Sequence, residues 1–140
     1  VETVKKLNWV PDIIHVHGWM AAMLPVYMKH FYKNEALFSD TKIVTSVYSQ
    51  SFEGTLDIEM INKIKFDGVP NESISDLETP DYESIMRATI NHSDAVIIAS
   101  ENLSSSLTKF IESSGKPFLP FASKDKFAET YSNFYKNFVL

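Results

Sequence analysis

The sequence predicts an α/β domain built on a parallel sheet. Three observations carry that expectation. Short, β-branched, apolar runs recur at residues 13–17, 42–48 and 93–100. Segments with helical spacing fill the intervals, and strands alternating with helices indicate parallel pairing through crossovers. The runs are almost continuously apolar, as in strands covered on both faces.

The elements follow in order. Residues 1–7 read as the tail of a helix, with Val1, Val4 and Leu7 on one face and no capping residue before them. From this we expect residues 1–140 to be a fragment of a longer protein. Trp9, Val10, Pro11 and Asp12 break the helix, and Ile13, Ile14, His15, Val16 and His17 form a buried strand that Gly18 ends. Trp19, Met23, Tyr27 and Phe31 are spaced by four, which predicts a helix over 19–32 that Pro25 bends or restarts. After a polar loop comes the second strand, 42–48, and then a polar loop over 49–54. Residues 57–67 and 70–78 are weaker helical stretches on either side of Gly68, Val69 and Pro70. Residues 81–93 form a better helix, flanked by Thr79, with Pro80 suited to a first helical position. The third strand, 93–100, ends in Ser100 and Glu101, with Ser100 a candidate cap for the helix over 103–113. Gly115 ends that helix. Residues 116–120 are extended. A last helix over 124–138 carries an aromatic stripe of Phe127, Tyr131, Phe134, Tyr135 and Phe138. That stripe is the pattern of a helix packed on a sheet.

Composition narrows the function. A chain of 140 residues with 44% hydrophobic and 22% charged residues is one globular domain with room for a core. Thirteen basic against eighteen acidic residues give a net charge of −5. That argues against a nucleic-acid partner, whose affinity starts from a basic surface. The absence of cysteine excludes disulfides, zinc–thiolate sites and Cys nucleophiles. The longest apolar run, 19–28, has ten residues with Pro25 inside it, whereas a membrane span needs about 20. No membrane partner is expected, and with no charged-then-apolar leader the expected compartment is cytoplasmic.

In parallel sheets ligands sit beyond the carboxyl ends of the strands. Those ends hold His15, His17, Gly18 and Trp19, then Tyr48 through Gly54, then Ser100 and Glu101. His15 and His17 alternate on a strand and so share a face. Two imidazoles at that spacing can chelate a metal, but no carboxylate or third histidine stands in an obvious position. We read them as histidines hydrogen-bonded at a strand end, with His17 the ligand contact and no metal. Trp19 is read equally as core packing. The Gly18–Trp19 helix start suits sugar oxygens or an anion, although neither a GxGxxG nor a GxxxxGK[ST] loop is present. Tyr48, Ser49, Gln50, Phe52 and Glu53 pair aromatic faces with amide, hydroxyl and carboxylate groups, which suits carbohydrate hydroxyls. No G-x-S-x-G elbow marks a serine hydrolase.

The segment Pro11-Asp12-Ile13-Ile14-His15-Val16-His17-Gly18-Trp19 resembles the bacterial glycogen and plant starch synthase family. There a strand ends in His-x-His-Asp-Trp before a helix with a Pro near its middle, the place of Pro25 and Val26. The family's Thr-Ile-His-Asn-Leu-Ala-Tyr-Gln-Gly is similar to Ser46-Val47-Tyr48-Ser49-Gln50-Ser51-Phe52-Glu53-Gly54. Its helix, Ala-Asp, apolar strand and Val-Ser-Pro are similar to residues 85–101. The resemblance covers roughly residues 1–113. It implies the two-domain GT-B fold, with this chain a Rossmann-like fragment from the later half of the N-terminal, acceptor-side domain and the donor domain not present. It implies transfer of glucose from a nucleotide sugar, usually ADP-glucose, to an α-1,4-glucan with retention of configuration, without metal or cofactor. The implied partners are an α-glucan or nucleotide sugar and a donor-domain segment or partner chain. The implied substrate-binding residues are His17, Gly18, Trp19, Tyr48, Ser49, Phe52, Glu53 and Gly54, and no catalytic residue is assigned. Five of these eight depart from the family pattern, Phe52 only mildly, in place of Tyr. Gly18 replaces Asp, Tyr48 replaces His, Ser49 replaces Asn and Glu53 replaces Gln; beside them, Met20 replaces His or Gln. These departures give the alternative reading, a catalytically inactive relative that binds glucan or regulates.

Overall fold

The computed structural model describes residues 1–66, 68–123 and 125–139. Four strands, β1 (Ile13–His17), β2 (Lys42–Val47), β3 (Ala95–Ile98) and β4 (Phe118–Leu119), lie side by side in chain order. Every pair is parallel. The register sets His15 against Val44 and His17 against Ser46, and Val47 against Ile98. All carboxyl ends therefore emerge at one end of the sheet. The α/β class and the parallel sheet are as the sequence predicts.

Six α-helices are described: α1 (Glu2–Lys6), α2 (Met23–His30), α3 (Glu59–Phe66), α4 (Tyr82–Asn91), α5 (Ser105–Ser113) and α6 (Phe127–Phe134), the last continuing as a π-helical turn over Tyr135–Val139. The connections between strands pack on one face of the sheet. There Val47, Val96 and Ile98 meet Met86 and Ile90 of α4 and Leu107 and Ile111 of α5. Val16 and Ile43 meet Met28 of α2 and Phe38. A third cluster joins Ala22 and Val26 to Ile61, Leu77 and Ile85. Side chains alternate along each strand, so Ile13, Val44, Ala95, Ile97 and Leu119 point to the opposite face. Phe134, Tyr131 and Tyr135 cover them. Thr45, fully buried on the helix-covered face, keeps a partner in the Ser93 hydroxyl at 2.7 Å, as a polar group in a core must.

The structure corrects several boundaries. Val1 and Val4 pack, partly buried, against the cluster of Val16 and Ile43, whereas Leu7 caps α1 and is 70% exposed. The helix expected over 19–32 divides into a 3-10 turn at Trp19–Ala21 and α2. Pro25 lies in the first turn of α2, where a missing N–H breaks no helical bond. Strand β2 stops at Val47, leaving Tyr48 in the loop. Strand β3 is shorter than 93–100 because Ser93 and Asp94 serve other ends. Ser93 donates to the Thr89 carbonyl at 2.8 Å. Asp94 accepts from the Ile43 N–H at 2.8 Å and pairs with Lys29 at 2.7 Å. Pro80 is not the first helical residue: it precedes Asp81, whose carboxylate caps α4 by accepting from the Ser84 N–H at 2.8 Å. Ser104, rather than Ser100, caps α5. The 70–78 stretch is 3-10 helix over Asn71–Glu78, broken at Ile74. Gly115 follows α5 with φ +70°, the left-handed residue a helix end favours. Asp67 and Lys124, included in the helices expected over 57–67 and 124–138, lie outside the described residues. Among the described residues no helix is long and apolar enough to cross a membrane.

Candidate functional site

The site is built where β1 and β2 end. The ladder runs one residue past β1, with the Gly18 N–H donating to the Ser46 carbonyl at 3.1 Å. Gly18 then takes φ +65° and ψ −176°, a region that side chains other than glycine essentially never enter. A Cβ there would meet only Tyr48 Cδ2, at an ordinary 3.8 Å. The backbone angle, and not crowding, makes this position a glycine. The turn sends the chain into Trp19, whose half-buried indole packs on Phe52 with ring centres 4.8 Å apart. Phe52 in turn meets Tyr82 edge-on at 6.1 Å.

Strand β2 brings Tyr48 alongside. Its hydroxyl and His17 Nδ1 share a hydrogen bond of 2.9 Å, and its carbonyl accepts from the Tyr82 hydroxyl. The Ser49 N–H donates to Ser100 Oγ at 3.0 Å, tying the loop after β2 to the end of β3. His17, Gly18, Trp19, Met20, Tyr48 and Gln50 line an open pocket of about 250 Å³. Ser49, Phe52 and Gly54 line a second groove of about 410 Å³, with Tyr82 and Asn102. Of the sequence-derived residues, Glu53 lines neither and is exposed. The first pocket offers an imidazole, a phenol, an amide and an indole face. Such groups can hold hydroxyls while an amphipathic ring supplies contact area.

A second layer lies under His17. Its ring stacks on that of His15 at 4.0 Å. His15 is hydrogen-bonded at both nitrogens, with Nε2 2.8 Å from Ser46 Oγ and Nδ1 2.6 Å from the Tyr135 hydroxyl. Burial, then the neighbouring His17, pushes the His15 pKa down to about 4, so the ring is neutral at neutral pH. Burial pushes Tyr131 and Tyr135 up. The shared face expected for His15 and His17 is present. His15 spends its nitrogens on Ser46 and Tyr135 rather than on a chelate. Among the described residues no group of three or more His, Cys, Asp or Glu is gathered as a metal would need.

Sequence reasoning missed Ser46, Tyr131 and Tyr135 as parts of this layer, and Tyr82 as part of the second groove. The aromatic stripe on the last helix signalled Tyr131 and Tyr135, but not the strand they cover. A larger hollow lies elsewhere, about 550 Å³ among Leu24, Tyr27, Phe31 and Tyr32. It touches no strand end, and its one acidic side chain, Glu2, accepts from the Tyr32 hydroxyl.

Comparison with known proteins places this geometry in context. Residues 1–115 match the family model described as the starch synthase catalytic domain. The glycogen synthase of Clostridium perfringens (strain 13 / Type A) is 33% identical over 104 residues, 72% of this chain and 21% of that protein. That of Chlorobium limicola is 33% identical over 101 residues, 71% of this chain and 20% of that protein. That of Thermotoga maritima is 31% identical over 98 residues, 69% of this chain and 20% of that protein. The chain spans about a fifth of the length of these curated relatives. No solved structure matches it. The match ends before α6, so the tyrosines on His15 lie outside the region matched to the family.

Proposed function

This chain belongs to the starch synthase catalytic-domain family, and on that premise we propose that it is the acceptor-side part of a glycogen-synthase-like glycosyltransferase. In this reading the pocket at the ends of β1 and β2 holds an α-1,4-glucan. The whole protein transfers glucose to it from a nucleotide sugar, ADP-glucose being the expected donor. The observation that carries the reading is the convergence of His17, Gly18, Trp19 and Tyr48 from two strand ends on one open pocket. His17 and Tyr48 present hydrogen-bonding groups, and Trp19 presents a ring face. Ser49, Phe52 and Gly54, in the adjoining groove, extend the surface along which further sugar units lie. Glu53 is proposed to reach the same chain from the exposed side of the loop.

One observation favours a second reading, a glucan-binding module without catalysis. The Gly18 backbone lies where an aspartate would be strained by about 1–3 kcal/mol. The turn is therefore shaped for glycine, and the carboxylate that the family's His-x-His-Asp-Trp pattern puts there cannot be restored without rebuilding the turn. Both readings are tested on the full-length protein by incorporation of labelled glucose from ADP-glucose into glycogen, with calorimetric binding of maltotetraose alongside. Incorporation above a heat-killed control removes the second reading. Binding without incorporation removes the first. Neither binding nor incorporation overturns both.

A further inference from the structure

The C-terminal helix is the unexplained element of this molecule. It lies beyond the matched residues 1–115, yet its tyrosines touch the histidine layer under the pocket. Tyr135 Oη is 2.6 Å from His15 Nδ1 across 120 residues of sequence. The Tyr131 ring lies 6.1 Å from that of His15.

Both nitrogens of the neutral His15 ring have a hydroxyl partner, Ser46 Oγ at 2.8 Å from Nε2 and Tyr135 Oη at 2.6 Å from Nδ1. With the proton on Nε2, Ser46 accepts and the Tyr135 O–H donates to Nδ1. The ring is held at both ends. His17 stacks on it at 4.0 Å and meets Tyr48 through Nδ1.

We propose that Tyr135 is a positioning residue for the strand-end pocket: its hydroxyl, seated on His15, fixes the ring on which His17 stacks and so holds His17 against Tyr48. The inference rests on the glucan reading only for the identity of the pocket's ligand. A donor to the neutral imidazole disfavours the charged one, so the Tyr135 O–H adds to the burial and the neighbouring His17 that keep His15 uncharged. The other groups facing His15 do not replace it. These are His17 on its own strand, Tyr131 on α6, and Asp12 and Lys136 along the groove that His15 helps to line.

The test is Tyr135→Phe in the full chain, which keeps the ring and removes one oxygen. The histidine ring protons are titrated by NMR, and maltotetraose binding is measured at pH 5.5 and 7.5. His15, at about 4 in the parent chain, is expected to rise toward the ordinary 6.5. A two-unit rise leaves about a quarter of His15 neutral at pH 5.5, and maltotetraose then binds about fourfold more weakly there than at pH 7.5. In a His15→Gln background, Tyr135→Phe should leave that pH ratio unchanged, an outcome that a merely structural role does not give. An unshifted His15 overturns the inference, as does a shifted His15 with no change in the binding ratio. A parent chain whose His15 titrates at the ordinary imidazole value overturns it without any variant. If the parent chain binds no maltotetraose at either pH, the glucan reading falls. Positioning is then decided by whether the His17 ring signals shift in Tyr135→Phe.

Discussion

At Gly18 the chain must turn within one residue from a strand into a helical turn, and it does so at φ +65° and ψ −176°. Gly18→Ala should therefore destabilise the fold by about 1–3 kcal/mol, read from urea unfolding midpoints. A neutral result would mean that the turn adjusts freely, and the steric argument against a carboxylate there would fall. His15 makes a different demand. Its folded pKa of about 4 lies below the ordinary 6.5, so the unfolded chain takes up the proton first as pH falls. The stability it contributes is complete above about pH 6.5 and is lost as pH drops from there through about 4. Burial, aided by His92 and Lys33, lowers His30 as well, in the same direction. The melting temperature should fall across that window, and His15→Gln should flatten the fall. Parallel pH profiles for the two chains would refute the assignment. The strand-end residues were legible because a parallel sheet places its ligand side at one end, which local patterns reveal. The roles within the layer were not. Tyr135 reaches His15 over 120 residues, and no local periodicity encodes such a contact.

The helices show why element types were easier to read than their ends. The apolar spacing of 81–93 marks α4, whose Ile85, Met86, Ala88, Thr89 and Ile90 are all buried. Its start depends on one carboxylate. Pro80 and Asp81 both suit a helix N-terminus, and only the Asp81–Ser84 hydrogen bond decides between them. Asp81→Ala should cost about 1 kcal/mol, measured by chemical denaturation, whereas removing the Thr79 hydroxyl should cost almost nothing. The far end of α4 is closed from a distance. Lys116 Nζ donates to the carbonyls of Asn91 at 3.0 Å and Ser93 at 2.6 Å. A cation there also complements the negative end of the helix dipole. Burial pulls the Lys116 pKa down, and the nearby Asp94 works against that pull. Trp19 through Phe31 shows the limit of periodicity. The spacing of four holds throughout, but the glycine turn before Trp19 makes the first stretch 3-10 and only the second α.

In the whole molecule, the connections between strands pack on one face and α6 alone is described covering the other, over Val44, Ala95, Ile97 and Leu119. Phe134, 4% exposed, is the side chain driven deepest into that face. Phe134→Ala should cost about 3–5 kcal/mol in unfolding free energy. A loss below about 1 kcal/mol would mean that α6 does not seal the sheet. The alternation of helix and strand made the layered architecture readable from sequence. It could not say which face the last helix covers, because both faces of such strands are apolar. The seal also has an order in time. During synthesis the four strands leave the ribosome before the covering helix. At about 5–20 residues per second, on the order of 1–4 s separate Leu119 from Val139. Throughout that interval the apolar strip of the nascent sheet lacks the cover of α6, and its first strand waits for a tyrosine that has not yet been made. The stretch after β4 is thus a timer for aggregation risk, and slowing translation there should raise the demand for chaperones more than the same pause placed before β1.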